Sequence, residues 1–223
     1  MHYFCTKMLK IWDHVLDIGA NFWYYSVIFA QKIGQKWKVY SIEPIKKFCE
    51  IIKYNKKIFN LSNIQVLNFG LGEKKMNLDF VLPKKTPYSY WYTHAFTDHE
   101  EVDRTQVVVV ERCTIMPPSS ILPCLNKIDY IKCDVEGYEH NIIPLILKLL
   151  GANRPIFQIE IAQNNGSLIN NQLKNLGYAP YLLSKNKLIN LSKKNLHDFC
   201  DLDDIIFLHF QKHQKIISDL VVP

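Results

Sequence analysis

VLDIGANFWYYS, Val15 to Ser26, decides the fold. A short apolar run from His14 to Ile18 carries Asp17 near its end and passes into a turn at Gly19. Val27, Ile28 and Ala30 then continue as the apolar positions of a helix. A buried parallel strand feeding a helix through a tight turn has this form. Gly19 lets the backbone turn sharply and approach a ligand, and Asn21 puts a short polar side chain at the helix entrance. The turn is not the GxGxxG of dinucleotide-binding enzymes, because Asn21 and Tyr24 stand at the second and third glycine positions. Asp17 would repel a pyrophosphate there and suits a ligand with an amino group.

The same unit recurs along the chain. Trp37 to Ile42 reads as a second strand ending at Glu43-Pro44, with an amphipathic helix marked by Phe48, Ile51, Ile52 and Tyr54 after it. Asn63 to Phe69, Ile128 to Cys133 and Ile156 to Ile161 read as further core strands, and Gly137 to Leu150 as a helix stopped by Gly151. Met76 to Leu82 and Val107 to Cys113 are additional strands, and Pro83 to Arg104 an irregular aromatic loop. A helix near Leu168 to Leu176, a hairpin-like pair at Tyr178–Ser184 and Lys187–Leu191, and a last strand at Asp204–Phe210 close the chain. Repeated βα units predict a mostly parallel sheet covered on both faces, with an antiparallel edge.

Composition agrees with one soluble globular domain: 223 residues, 48% hydrophobic and 22% charged. Such a domain can stand alone or form part of a longer polypeptide, and few residues precede the first core strand to build an N-terminal lid. The net charge of +6 comes from scattered lysines, the pattern of a solvated basic surface rather than a nucleic-acid tract. Six cysteines occur singly, without CxxC spacing, which fits a reducing, cytoplasmic setting. MHYFCTKMLK lacks the apolar segment of a secretory signal, and no membrane span is expected. Oligomeric state is not legible.

In such sheets ligands bind beyond the carboxyl ends of the strands. The residues there are Asp17, Glu43, Asn68, Asp134 and Glu160. Carboxylates at the edge of a buried sheet are costly unless they face a ligand or partner, although a single one can cap a helix or pair at the rim. An acid ending the second strand is placed to accept hydrogen bonds from both hydroxyls of a ribose. Ribose plus a cationic amino-acid moiety describes S-adenosylmethionine better than a nicotinamide dinucleotide.

Four ordered motifs, LDIGAN, SIEP with Asn55 beyond it, VLNFGLGEKKMNL, and IDYIKCDVEGYE followed by PIFQIE, resemble the FkbM family of methyltransferases. The resemblance covers roughly Val15 to Glu160, and KxDVEGxE is its most specific part. It implies a Rossmann-like class I methyltransferase fold: a seven-stranded, mostly parallel sheet in the order 3-2-1-4-5-7-6 with helices on both faces and the seventh strand antiparallel. It also implies S-adenosylmethionine as cofactor, held by Asp17, Gly19, Ala20 and Asn21 around the methionine portion. Glu43 would lie on the ribose, Asn68 near the adenine, and Asp134 beside the transferring methyl. One departure is Trp23, where family members usually carry glycine. If that glycine is left-handed, tryptophan is strained there; with negative φ, the indole only changes the pocket wall.

The resemblance includes enzymes that methylate sugars, so the expected activity is O-methylation of a sugar or glycan hydroxyl. The hydroxyl must lose its proton at or near transfer. Asp134 is the first candidate base, with His140, Glu136 and Glu139 behind it. Glu136 and Glu139 also oppose the dipole of the following helix, and His140 reads equally as a surface residue. Strands about 4.8 Å apart allow Asp134 and Glu160 to converge on one divalent cation, Mg or Mn, with Glu160 otherwise orienting the acceptor. Pro87 to Phe96, PYSYWYTHAF, offers Tyr90, Trp91 and His94 as an acceptor platform together with Glu136, or else a flap that closes the core. Alternative acceptors are a lipid, a polyketide or a nucleic acid. A catalytically degenerate binding protein of the same fold is the non-enzymatic alternative.

Overall fold

The computed structural model describes residues 7–22, 24–83, 94–96, 107–125, 127–161, 166–184, 187–194, 196 and 204–221. The first βα unit forms as expected: β1 (Val15–Ile18) is buried throughout, and α1 (Tyr24–Ile33) follows the Gly19 turn. After it come β2 (Val39–Ile42), α2 (Lys46–Ile58), β3 (Ile64–Leu67) and the short β4 (Gly70–Leu71). Next are β5 (Met76–Pro83), β6 (His94–Phe96), β7 (Val107–Met116), β8 (Tyr130–Cys133) and α3 (Glu139–Leu150). The remainder is β9 (Ile156–Ile159), α4 (Gly166–Lys174), β10 (Tyr178–Ser184), β11 (Lys187–Asn190), β12 (Ile205–His209) and α5 (Gln214–Leu220).

The main sheet has the order β11-β10-β12-β9-β8-β1-β2-β3. Leaving out β11, this is the expected 3-2-1-4-5-7-6 arrangement, with β12 antiparallel to β9. The expected count of seven is corrected to eight, because the β10–β11 hairpin adds an antiparallel edge strand. A second sheet, β4-β7-β5-β6, stands apart from the first. Within the segment read as a loop, His94–Phe96 is a strand, antiparallel to Asp79–Val81. Tyr90 and Trp91 lie outside the described residues, as does Trp23.

Side-chain alternation along each strand splits the core. Leu16, Ile18, Ile42, Ile131 and Phe157 pack against Ile142 and Ile146 of α3 and Leu173 of α4. Val15, Val39, Ile64 and Tyr130 pack on the other face against Phe29 and Ile33 of α1 and Ile52 of α2. On that second face runs a buried polar row, in register across four strands: Ser41, Asp17, Lys132 and Gln158. Among the described residues no helix is long and apolar enough to cross a membrane.

Candidate active site

Ladder hydrogen bonds continue past the strand ends and fix the rim. Gly19 N and Ala20 N donate to Ile42 O at 3.0 and 3.1 Å, Glu43 N to Leu67 O at 3.0 Å, and Asp134 N to Ile18 O at 3.0 Å. A cavity of about 480 Å³ opens there, within the range of small-molecule sites. Gly19, Asn21, Glu43, Asp134 and Glu136 stand on its wall. The second sheet closes the other side with Met76, Leu78, Phe80 and Ile115.

Gly19 allows this closeness. Its φ is +73°, and a Cβ added to it would lie 1.7 Å from the carbonyl oxygen of Asp134. Asn21 also adopts positive φ, 52°, which asparagine tolerates better than most residues. Among the described residues its buried Oδ1 has no hydrogen-bond partner, an acceptor available to an ammonium or N–H group.

Glu43 is buried and organised by the backbone: Oε2 accepts Asn21 N and Oε1 accepts Ile45 N, each at 2.8 Å. Each oxygen keeps a second lone pair. Burial pushes its carboxyl up to about 7, against the pull of those two N–H groups. Asn68 acts one step back. Its Nδ2 donates to Glu43 O at 3.1 Å and Pro44 O at 2.8 Å, pinning the backbone that carries Glu43, and its side chain is not on the cavity wall.

Asp134 has its Oδ2 2.6 Å from Lys132 Nζ. Burial works against its charge, yet the Lys132 ammonium and a hydrogen bond with Glu160 hold the carboxyl below its usual range. That same hydrogen bond, then burial, pushes Glu160 up to about 9. Glu136, with φ 55°, completes a group in which carboxylate oxygens of Asp134, Glu136 and Glu160 lie within 4.8 Å of one another. Desolvation, then the charges of Asp134 and Glu139, pushes Glu136 up to about 7.

Four further expected site residues stand off this cavity wall. Asp17 is fully buried on the α1 face rather than on the cavity wall; its Oδ2 accepts Ser26 Oγ at 2.6 Å, and burial pushes its carboxyl up to about 6. Strand alternation explains this, since Ile18 points the other way, into the cavity wall. Ala20 belongs to the core, its N–H taken by Ile42. His140 does not line the cavity; its Nδ1 lies 3.1 Å from Gly137 O, a contact to its own helix entrance. Glu139 is a clasp: fully buried, it accepts Val135 N at 2.8 Å and Gly137 N at 3.2 Å, closing the loop that displays Asp134. Of the acceptor-platform residues, Glu136 reaches the wall, while the side chain of His94 is not among those described.

Lys132 was legible only as a motif letter. It is 2% exposed, with its ammonium beside Asp134 and 4.5 Å from the Tyr25 ring centroid. Burial opposes its charge, but Asp134, Asp204 and Asp17 outweigh burial and raise its pKa. Tyr25 Oη donates to Asp204 Oδ2 at 3.1 Å, Gln158 Nε2 donates to the same oxygen, and Tyr130 Oη donates to Gln158 Oε1 at 2.6 Å. A lysine inside an otherwise apolar strand, two residues before an acid, is the sequence signal that marks it.

This sheet order, with a ligand-sized cavity beyond its carboxyl edge, defines a class I methyltransferase fold. The chain belongs to the FkbM methyltransferase family: the methyltransferase FkbM domain matches residues 17–180. In structure it is similar to methyltransferase FkbM from Methylobacillus flagellatus KT, at TM-score 0.56 and 15% identity over 89% of this chain and 44% of that one. A SAM-dependent O-methyltransferase from Thermotoga maritima gives TM-score 0.51 and 15% identity over 92% and 63%. A putative rRNA-methylase from Clostridium thermocellum gives 0.54 and 9% over 92% and 90%. The chain thus spans less than two thirds of the first two. No protein of curated function matches the sequence.

Proposed function

We propose that this protein transfers the methyl group of S-adenosylmethionine to a hydroxyl of a sugar or glycan. The observation that carries the reading is the meeting of Gly19, Asn21, Glu43 and Asp134 on one cavity of a family-typical sheet. Those residues fit the cofactor: the missing Cβ of Gly19 lets the first turn close on the Asp134 carbonyl, the orphaned Oδ1 of Asn21 suits an ammonium, and the second lone pairs of Glu43 suit ribose hydroxyls. When bound, the cofactor supplies an electrophilic sulfonium methyl. The protein's part is then to align the acceptor oxygen, exclude water and take the proton. Asp134 takes it, as a carboxylate kept ionised by Lys132. The second sheet lines one side of the site with the apolar Leu78, Phe80 and Ile115. The sugar assignment rests on the family resemblance and the aromatic Pro87–Phe96 segment.

Calorimetry with S-adenosylmethionine, followed by mass detection of methylated products on glycan, lipid and RNA panels, tests this. Methyl transfer to a sugar hydroxyl is expected. Transfer only to lipid or RNA overturns the acceptor, and no cofactor binding at millimolar concentration favours a non-catalytic scaffold. A divalent cation at Asp134 and Glu160 is the second reading, favoured by the three clustered carboxylates. It requires turnover to stop on exhaustive chelation; unchanged turnover leaves Asp134 and Lys132 to act alone.

Glu43 makes cofactor affinity pH-dependent. Ribose hydroxyls donate to the anion, so with a carboxyl at about 7, affinity should rise about tenfold from pH 6 to pH 8. The sign for folding is opposite. Glu43 and Asp17 hold folded values of about 7 and about 6, above their unfolded ones, so their contribution is complete below the ordinary carboxylate range and is lost as pH climbs through 6 to 7. Titrations at both pH values check the affinity, and Glu43→Gln should abolish its pH dependence.

A further inference from the structure

We propose that the pole of the sheet opposite the cavity is a docking surface for anionic lipid bilayers. β1, β2 and β3 run parallel and all end at the cavity rim, so their starts, together with the ends of α1 and α2, gather at the far pole. Large apolar side chains stand in water there. Ile11 and Trp12, 61% and 60% exposed, occupy the corners of a turn in which Asp13 N donates to Lys10 O at 3.2 Å and Lys10 N to Asp13 Oδ2 at 2.7 Å. Ile58 and Phe59, 57% and 43% exposed, end α2. Asn60 follows them with φ 50°, and hydrogen bonds from Leu61 N to Lys56 O at 2.9 Å and Asn60 N to Lys57 O at 3.1 Å fix the reversal.

The two turns meet across the segment that follows α1. Gly34 packs on Ile11, with a Cβ added there lying 3.4 Å from Ile11 Cγ2. Its neighbour Gln35 clamps the second turn, donating from Nε2 to Asn60 O at 3.0 Å and accepting Ser62 N at 3.1 Å and Ser62 Oγ at 2.6 Å. Asn63 Nδ2 ties the same corner to Ala30 O and Gly34 O at 2.9 and 3.2 Å.

Charge decides the occupant. Lys10, Lys32, Lys36, Lys53 and Lys57 are exposed on these same elements. Asp13 is buried with its carboxylate engaged by the turn, and among the described residues up to Ser62 the exposed acid is Glu50, on the half of α2 nearer the cavity. The acids Glu136 and Glu160 belong to the opposite rim. Indole, phenyl and branched aliphatic groups that enter a headgroup boundary, ringed by lysines that attract anionic headgroups, are the chemistry of a peripheral membrane surface. Protein interfaces are depleted in lysine, and a nucleic acid would leave Ile11 and Ile58 without a role. Docked this way, the cavity faces the aqueous side, so the surface works with a soluble acceptor.

Co-sedimentation of the full chain with vesicles tests this. The chain should pellet with phosphatidylcholine–phosphatidylglycerol vesicles, remain in solution with pure phosphatidylcholine, and be released by high salt. Trp12→Ser combined with Phe59→Ser should lower partitioning at least about tenfold while leaving the thermal transition unchanged, because both side chains are exposed. Lys36→Glu with Lys57→Glu should do the same through charge alone. Equal binding to both vesicle types, unchanged binding of either double variant, or a solution dimer that the first variant dissolves would each overturn the proposal, the last by assigning the face to a second copy of the chain.

Discussion

Asp134→Asn should lower turnover by about 10²- to 10⁴-fold, the usual contribution of a positioned base, while changing cofactor affinity far less. The substitution keeps shape and removes basicity. The amide oxygen can still accept from Lys132, whose Nζ lies 2.6 Å from Asp134 Oδ2, and the Lys132 ammonium retains Asp17 and Asp204 nearby, so the fold should persist. Glu160→Gln provides the contrast. The hydrogen bond with Asp134 and burial push the Glu160 carboxyl up, toward the neutral form that glutamine mimics, so glutamine should leave turnover within a few-fold of the parent. Rates at saturating cofactor and acceptor, with thermal transitions as controls, decide the matter. Asp134→Asn turnover within threefold of the parent would remove Asp134 from proton transfer, and a Glu160→Gln collapse would favour the cation reading.

The strand-turn-helix at Val15–Ile33 was legible because its signals are local: an apolar run, an acid, a glycine and a helical period. The order of the central strands came from resemblance, and it holds in the structure. Partners distant in sequence were not legible. Met76–Leu82 and Val107–Cys113 each read as a strand, but nothing in either shows that they pair with each other in a separate sheet and wall the cavity. At the rim, strand ends marked the right places but not the directions. Glu43 and Asp134 reach the cavity, whereas Asp17 sits before the Gly19 turn and faces α1. A reading based on position alone treats all three as equivalent. Lys132 escaped for the complementary reason: beyond its neighbour Asp134, its role depends on Asp17 and Asp204 arriving from two other segments.

Gly19→Ala should damage both the fold and the site through a single added methyl. The added Cβ would stand 1.7 Å from Asp134 O and 2.8 Å from its carbonyl carbon, so a backbone group, not a flexible side chain, has to move by more than an ångström. That carbonyl cannot move freely, because Asp134 N is held by Ile18 O at 3.0 Å and the following loop is clasped by Glu139. Positive φ adds about 1–3 kcal/mol of strain for any residue with a Cβ. At roughly 2–4 °C per kcal/mol for a chain of this size, a loss of about 3 kcal/mol lowers the melting temperature by around 10 °C. The functional effect should exceed the stability effect, since Gly19 and Asp134 both stand on the cavity wall and their separation sets its shape. Calorimetry on the folded fraction should show cofactor affinity reduced about a hundredfold or more, the scale of an ångström misplacement at a site. An alanine variant that melts and binds like the parent would mean that the first turn relaxes without cost, and the close approach of β1 and β8 at the rim would then have no part in holding the cofactor.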